Sequence, residues 1–237
     1  SSDVTAVLTK IEEKRRATVT EVTLDMSNAM DVITRSSFPQ ATIVTDRFHV
    51  QQLVSEAVQE IRNTLRRTAL KEETAAILLA KKDKKLYVPT LYPNGDSKKQ
   101  LLARSFYLLF KSSSHWTARQ TERAKILFTT FPELEHAYHL AMLFRAGYER
   151  SQTKQAAKLC LEQWYVKVEE EQIDAFTVVA ESIRVHEDTI LNYFNNRSTN
   201  AAAESFNAKL KGFRALLRGV RDIPFFLFRV GKIYGSR

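Results

Sequence analysis

Two kinds of apolar pattern divide the chain. Residues 18–24, Thr-Val-Thr-Glu-Val-Thr-Leu, are β-branched and alternating, which predicts a strand running directly into Asp25. Residues 41–45, Ala-Thr-Ile-Val-Thr, predict a second strand running into Asp46. Between them, Ser27 stands where a helix cap belongs, ahead of a helix over 28–36 that Phe38-Pro39 ends. A strand–helix–strand order in so few residues implies a parallel pair joined by a crossover. Upstream, Val4, Val7, Leu8 and Ile11 share one face of a helix predicted over 3–15.

From Val50 the period becomes helical. Val50, Leu53, Val54, Ala57, Ile61 and Leu65 fall on one face, and helical spacing then continues to about residue 195. The main interruption is 81–99, which opens on the Lys81-Lys82-Asp83-Lys84-Lys85 run and holds Pro89, Pro93 and Asn94-Gly95. Helices are predicted over 100–111, 117–130, 133–148, 152–169, 172–184 and 186–195, with Trp116, Cys160 and Trp164 on apolar faces packed in the helical core. The last segment is the most periodic. Ala203, Phe206, Leu210, Phe213 and Leu217 form a stripe predicted to be buried. Asn200, Glu204, Asn207, Lys211, Arg214 and Arg218 recur on another face, and Gly219 marks a helix end. The fold class that results is mainly α with a small parallel β element.

Composition narrows the function. The 237 residues are 44% hydrophobic and 27% charged, as in a globular protein, and no apolar run approaches the roughly 20 residues that span a bilayer. No secretory signal pattern opens the chain, and Cys160 is the only cysteine, so an internal disulfide is excluded and a reducing, cytoplasmic setting is expected. The net charge is +9 and is concentrated at the C-terminus. From Thr189 onward, nine basic residues (Arg197, Lys209, Lys211, Arg214, Arg218, Arg221, Arg229, Lys232 and Arg237) stand against Glu204 and Asp222 alone. That excess suits either a solvated basic surface or a polyanion, nucleic acid first.

The candidate chemistry is acidic. Carboxylates at the carboxyl ends of neighbouring strands sit where α/β sheets gather ligands, and they suit oxygen-seeking Mg²⁺ or Mn²⁺. Glu204 is the only acid between Asp188 and Asp222 and lies among Asn, Lys and Arg. It reads either as an ion-pair partner of Lys211 or as a metal ligand beside cations that hold phosphates. Asp46 and His49, three apart, share a face if a helix starts at once. His136 and His139 repeat that spacing on a helix near Glu135, but no third and fourth ligands accompany them, which argues against a metal site there. Cysteine pairs, a phosphate-binding glycine loop and a Ser-His-Asp or Cys-His order are all missing from the sequence.

The run Val22-Thr-Leu-Asp25-Met-Ser, followed by Ser37-Phe-Pro-Gln-Ala-Thr-Ile-Val-Thr-Asp46-Arg-Phe-His49-Val50, resembles insertion-sequence transposases of the ISL-three type. So do Asn192-Tyr-Phe-Asn-Asn-Arg-Ser-Thr-Asn200-Ala-Ala-Ala-Glu204-Ser-Phe-Asn207-Ala-Lys-Leu-Lys211, the Arg218-to-Arg229 tail, Leu134-Glu-His-Ala-Tyr and Trp164. The resemblance implies a ribonuclease-H-like (retroviral-integrase-like) fold interrupted by a helical insertion, and an Asp-Asp-Glu triad holding two Mg²⁺ or Mn²⁺ ions. Glu204 is then the final acid. Asp25 is the preferred second acid because that acid follows the fold's fourth strand, itself preceded by a helix, and residues 3–15 and 18–24 fit that helix and strand. Asp46 and His49 form an accessory pair in this assignment, and in the rival one Asp46 is the second acid.

The same resemblance divides the chain into a partial core (1–50), a helical insertion (51–190) and a C-terminal helix with a basic tail returning to the core (191–237). Asn200, Asn207, Lys211, Arg214 and Arg218 become DNA-backbone contacts. The expected partners are double-stranded DNA, as transposon ends and target, and a second copy or more in the assembled complex, in the bacterial cytoplasm at the nucleoid. The pattern departs in one respect: no strand ending in the first catalytic Asp precedes this region, and Asp3 has none before it. The expectation is therefore a fragment lacking three strands and inactive by itself. A nuclease of the same fold and a non-catalytic helical DNA-binding or assembly module are the rival readings.

Overall fold

A computed structural model describes residues 2–235, so Arg237 lies outside the described residues. The residues group into two compact units, 1–197 and 198–237.

The first unit opens with α1 (Ser2–Leu8) and α2 (Glu13–Arg16), followed by β1 (Glu21–Leu24), α3 (Asn28–Ser37) and β2 (Thr42–Thr45). The single helix expected over 3–15 is therefore two short ones. Its intended apolar face finds little to cover it: Val4, Val7 and Ile11 are exposed. Arg16 takes the Ile11 carbonyl with Nε (3.0 Å) and the Ser37 carbonyl with its terminal nitrogen (2.9 Å), tying the turn to the end of α3. β1 and β2 pair in parallel, with Leu24 opposite Thr45, and α3 is the crossover. Ser27 occupies the position before α3 but makes no side-chain cap, contrary to expectation; its own N–H is turned back to the Asp25 carboxylate.

β2 leads within one residue into α4 (Arg47–Lys82), whose Val50, Val54, Ala57 and Ile61 are buried. A strap then returns to α5 (Lys98–Arg104), α6 (Phe106–Leu109), α7 (Ala118–Thr130), α8 (Pro132–Arg150), α9 (Lys154–Glu171), α10 (Asp174–Val185), α11 (Glu187–Leu191) and α12 (Tyr193–Asn196). The predicted 100–111 helix divides at Ser105, whose fully buried hydroxyl donates to the Leu101 carbonyl (2.6 Å), a back-bond that bends helices. The 186–195 helix divides at Asn192, whose side chain is committed to β2.

α8 and α9 centre the core. Trp164, 1% exposed, meets Phe144 edge-on at 5.0 Å and lies 6.5 Å from Phe176, while its indole N–H donates to the Leu140 carbonyl (2.9 Å). Trp116 is partly buried and donates to the Leu108 carbonyl (2.8 Å). Cys160 is half-buried rather than fully interior, and Gly147 lets it approach: a Cβ there would stand 3.2 Å from that of Cys160.

The strap is pinned by a buried acid. Gly95, at φ 77°, permits the turn that points Asp96 inward, where its fully buried carboxylate accepts from Arg104 and from Arg123 (2.8 Å). Burial opposes ionisation of Asp96, but the two guanidinium groups outweigh it and lower its pKa below the ordinary carboxylate value. The pair's stabilisation is thus complete above the unfolded pKa, near ~3.9, and is lost as pH falls through the lower folded value. Asp96→Asn is expected to lower stability at pH 7 by about 1–3 kcal/mol and to flatten the acid limb of a denaturation-versus-pH series; an unchanged acid limb would contradict this account.

The second unit is α13 (Ala201–Leu216) and α14 (Ile223–Tyr234). Neither helix has a buried residue. The expected buried stripe is therefore corrected to a helix–helix seam: Phe213 stacks on Phe226 at 5.5 Å and Phe206 meets Tyr234 edge-on at 5.8 Å. Two helices can cover only one narrow face of each other, so Phe206 and Leu217 keep 41% and 37% exposure.

Candidate functional site

The acids are placed by the ladder. Because Leu24 pairs with Thr45, Asp25 and Asp46 follow at equivalent positions on neighbouring strands, which in a sheet run about 4.8 Å apart. Their environments differ. Asp25 is exposed, and its Oδ1 accepts from the Ser27 N–H (3.2 Å). Asp46 is 2% exposed; its N–H extends the ladder to the Leu24 carbonyl (2.7 Å) and its Oδ1 accepts from the Phe48 N–H (2.9 Å) as the N-cap of α4. The strand thus hands its last residue to the helix as a cap, which satisfies one of the helix's otherwise unpaired first-turn donors.

The helix does start at once, so Asp46 and His49 lie within one turn. His49 is half-buried, meets the Phe48 ring edge-on at 5.5 Å, and lines an open groove of about 290 Å³ with Asp25, Met26, Ser27, Gln52, Leu53 and Glu56. The structure therefore brings Asp25 and His49 into one groove. Gln52 and Glu56 were not singled out from the sequence. Gln52 donates to Glu56 at 2.6 Å. Spaced three and seven from His49, they are the polar face beside the apolar one, and that spacing was the available signal.

Beneath the first turn of α4, Arg47 reaches Glu149 (3.5 Å) and lies 5.9 Å over the Tyr148 ring. Burial pushes the Tyr148 phenol well above its usual range, with Tyr193 adding and Arg47 opposing. His136 pairs with Glu171 on α9, not with Glu135, and His139 packs on Tyr138 at 5.9 Å.

Glu204 belongs to the second unit. It lies in the first turn of α13, exposed, with its N–H on the Asn200 carbonyl (2.8 Å). A carboxylate there is favoured by the helix dipole by about 0.3–1 kcal/mol, which alone is a structural reason for an acid. Asn200 holds the N-cap position, and Asn207, Lys211 and Arg214 are exposed along the helix. Arg218 departs from the expected face: α13 ends at Leu216, and Arg218 sits beyond it at φ 52°, followed by Gly219 at φ 111°. Asp222 caps α14 through the Phe225 N–H (2.9 Å), and Arg229 lies 5.1 Å over Phe213.

A sequence model of a DDE transposase family of the ISL3 type, described as Transposase, matches residues 1–230. No curated protein matches the chain. No solved structure matches it either.

Proposed function

The chain belongs to the ISL3 family of DDE transposases, and from that premise we propose that it carries two acids of a metal-dependent DNA strand-cleavage and strand-transfer site, Asp25 and Glu204. The observation that carries the reading is the family match across residues 1–230, which spans both strand-end acids and Glu204. The strand ends support the choice of Asp25. Asp46 is buried and spends Oδ1 on capping α4, whereas Asp25 is exposed in a groove and engages one backbone N–H. Asp46 and His49 then act as the accessory pair, Asp46 fixing the start of the helix and His49 facing the groove.

The donor set fits hard divalent cations, since Asp25 and Glu204 both offer exposed carboxylate oxygens. Two Mg²⁺ or Mn²⁺ ions, when bound, would polarise the attacking oxygen and neutralise charge on the leaving one. The residues of the chain do the rest. Asp25 is oriented by the Ser27 N–H. Asn200, Asn207, Lys211, Arg214 and Arg218 hold phosphates, which positions a duplex without reading its bases. In the reaction, water and then a 3′-hydroxyl attack a phosphodiester, and the bond from phosphorus to the leaving oxygen breaks. Asp3 lies in the helix α1 and not at a strand end, so it is not assigned to the metals. The ribonuclease-H-like core, the helical insertion and an assembly of two or more copies on DNA belong to the same proposal.

The test uses the full-length protein with DNA bearing the element's terminal repeats. Metal-dependent nicking followed by joining of the 3′ end to a second duplex is expected, and both should stop with a chelator. Nicking without joining would indicate a nuclease of the same fold. Salt-dependent binding with neither step would indicate a DNA-binding module. The cations give a second measurement: Lys211→Ala should weaken binding to all duplexes alike and reduce the slope of log K against log salt by about 1. An unchanged slope would remove Lys211 from the interface.

A further inference from the structure

We infer that Thr189 and Asn192 are positioning residues for Glu204, acting as a clamp that fixes where the chain returns to the strand-end acids after the long helical excursion. The inference rests on the DDE reading above. Its starting point is the edge of β2. The N–H groups of Thr42 and Asp46 donate to the Thr20 and Leu24 carbonyls on the β1 side, so the alternation of a strand turns the N–H and C=O of Ile43 to the opposite edge. An uncovered edge carbonyl lacks a partner, and proteins cover such edges with helices or loops. Here α11 and the residue after it cover it, and the partner is a side chain: Asn192 Nδ2 donates to the Ile43 carbonyl at 2.9 Å, standing in for a strand's N–H.

The other contacts of the same turn agree. Lys154 Nζ donates to Asn192 Oδ1 (2.8 Å), which settles the orientation of the amide. Thr45 and Thr189 join through their hydroxyls at 2.8 Å, one residue before Asp46. The Thr189 hydroxyl also bonds the His186 carbonyl (2.8 Å), so both of its functions are used. Asn196 reaches Glu21 on β1 (2.9 Å), and Arg197, at φ 56°, donates to the Ser151 carbonyl (2.6 Å). The first two contacts to β2 span 144 and 149 positions of sequence. Only Ser198, Thr199 and Asn200 then separate Arg197 from α13, which carries Glu204. The clamp and the Arg197 bond therefore fix the chain three residues ahead of α13. None of these side chains needs to touch DNA or metal to affect the rate, because misplacing a reacting group by about 1 Å can cost on the order of 100-fold.

The experiment is a strand-cleavage assay with the full-length protein carrying Thr189→Val, Thr189→Ser, Asn192→Ala or Glu204→Gln. Valine keeps the shape of threonine and loses only the hydroxyl, so folding is retained, and circular dichroism with thermal melting checks it. Thr189→Val and Asn192→Ala should lower the cleavage rate at saturating DNA by about 10- to 100-fold. Both should raise the Mn²⁺ concentration giving half the maximal rate, and both should leave DNA affinity unchanged. Thr189→Ser should recover most of the rate. Combining Thr189→Val with Asn192→Ala should cost little more than either alone, because both release one clamp. Wild-type rate and metal dependence in Thr189→Val and Asn192→Ala would overturn the clamp, as would a loss matching only the unfolded fraction. If Glu204→Gln cleaves normally, the DDE reading itself falls and the clamp with it. A dead Glu204→Gln beside fully active clamp variants would overturn the clamp alone.

Discussion

Glu204→Gln in the full-length protein is expected to abolish strand cleavage, by at least about 1000-fold, while DNA binding stays within about twofold. Glutamine keeps the size of the side chain, and the acid is exposed and in the first turn of α13, so the cost to folding is at most the small dipole term. What is lost is a charged oxygen ligand. Asp25→Asn should behave in the same way, because its exposed carboxylate is the other acid assigned to the metals. Asp46→Asn should not: asparagine also accepts from the Phe48 N–H and caps a helix about as well as aspartate. A roughly tenfold loss is expected there, consistent with an accessory role. The reverse order, with Asp46→Asn dead and Asp25→Asn active, would transfer the catalytic assignment to Asp46.

Trp164→Ala is the second large effect, this time on stability. The side chain is 1% exposed, bridges α8 and α10 through Phe144 and Phe176, and donates its N–H to the Leu140 carbonyl. Removing it leaves a cavity and takes away the second hydrogen bond to the Leu140 carbonyl, which keeps its intrahelical partner in α8, for a loss of about 3–5 kcal/mol. Trp164→Phe refills much of the volume and forfeits the hydrogen bond, so about half that loss is expected. Urea denaturation of the two variants measures both terms. Equal losses would mean that the hydrogen bond, not the packing, dominates.

The strand pair was legible because β-branched residues alternate up to an aspartate twice, and that local signal needs no tertiary help. The long apolar face of α4 was legible for the same reason. The helix breaks at Ser105 and Asn192 were not, since each arises where a side chain finds a carbonyl: Ser105 one turn back, and Asn192 a distant one on β2. Periodicity on α13 identified which residues share a face, but a period says nothing about whether a partner covers that face. At the site, the apolar spacing of Val50 and Leu53 marks the buried face of α4 and carries no sign that Gln52 and Glu56 line the groove of Asp25.

α4 has one more consequence. At 1.5 Å per residue, its 36 residues have a contour length of about 54 Å. Duplex DNA advances about 3.4 Å per base pair, so the helix is as long as roughly 16 base pairs. Its first turn carries His49 beside Asp25, and its far end opens onto the exposed Lys81, Lys82, Lys84 and Lys85. A single continuous helix with a contour length of about 54 Å thus runs from the first turn that carries His49 to a cationic tip, a length of about one and a half turns of double helix.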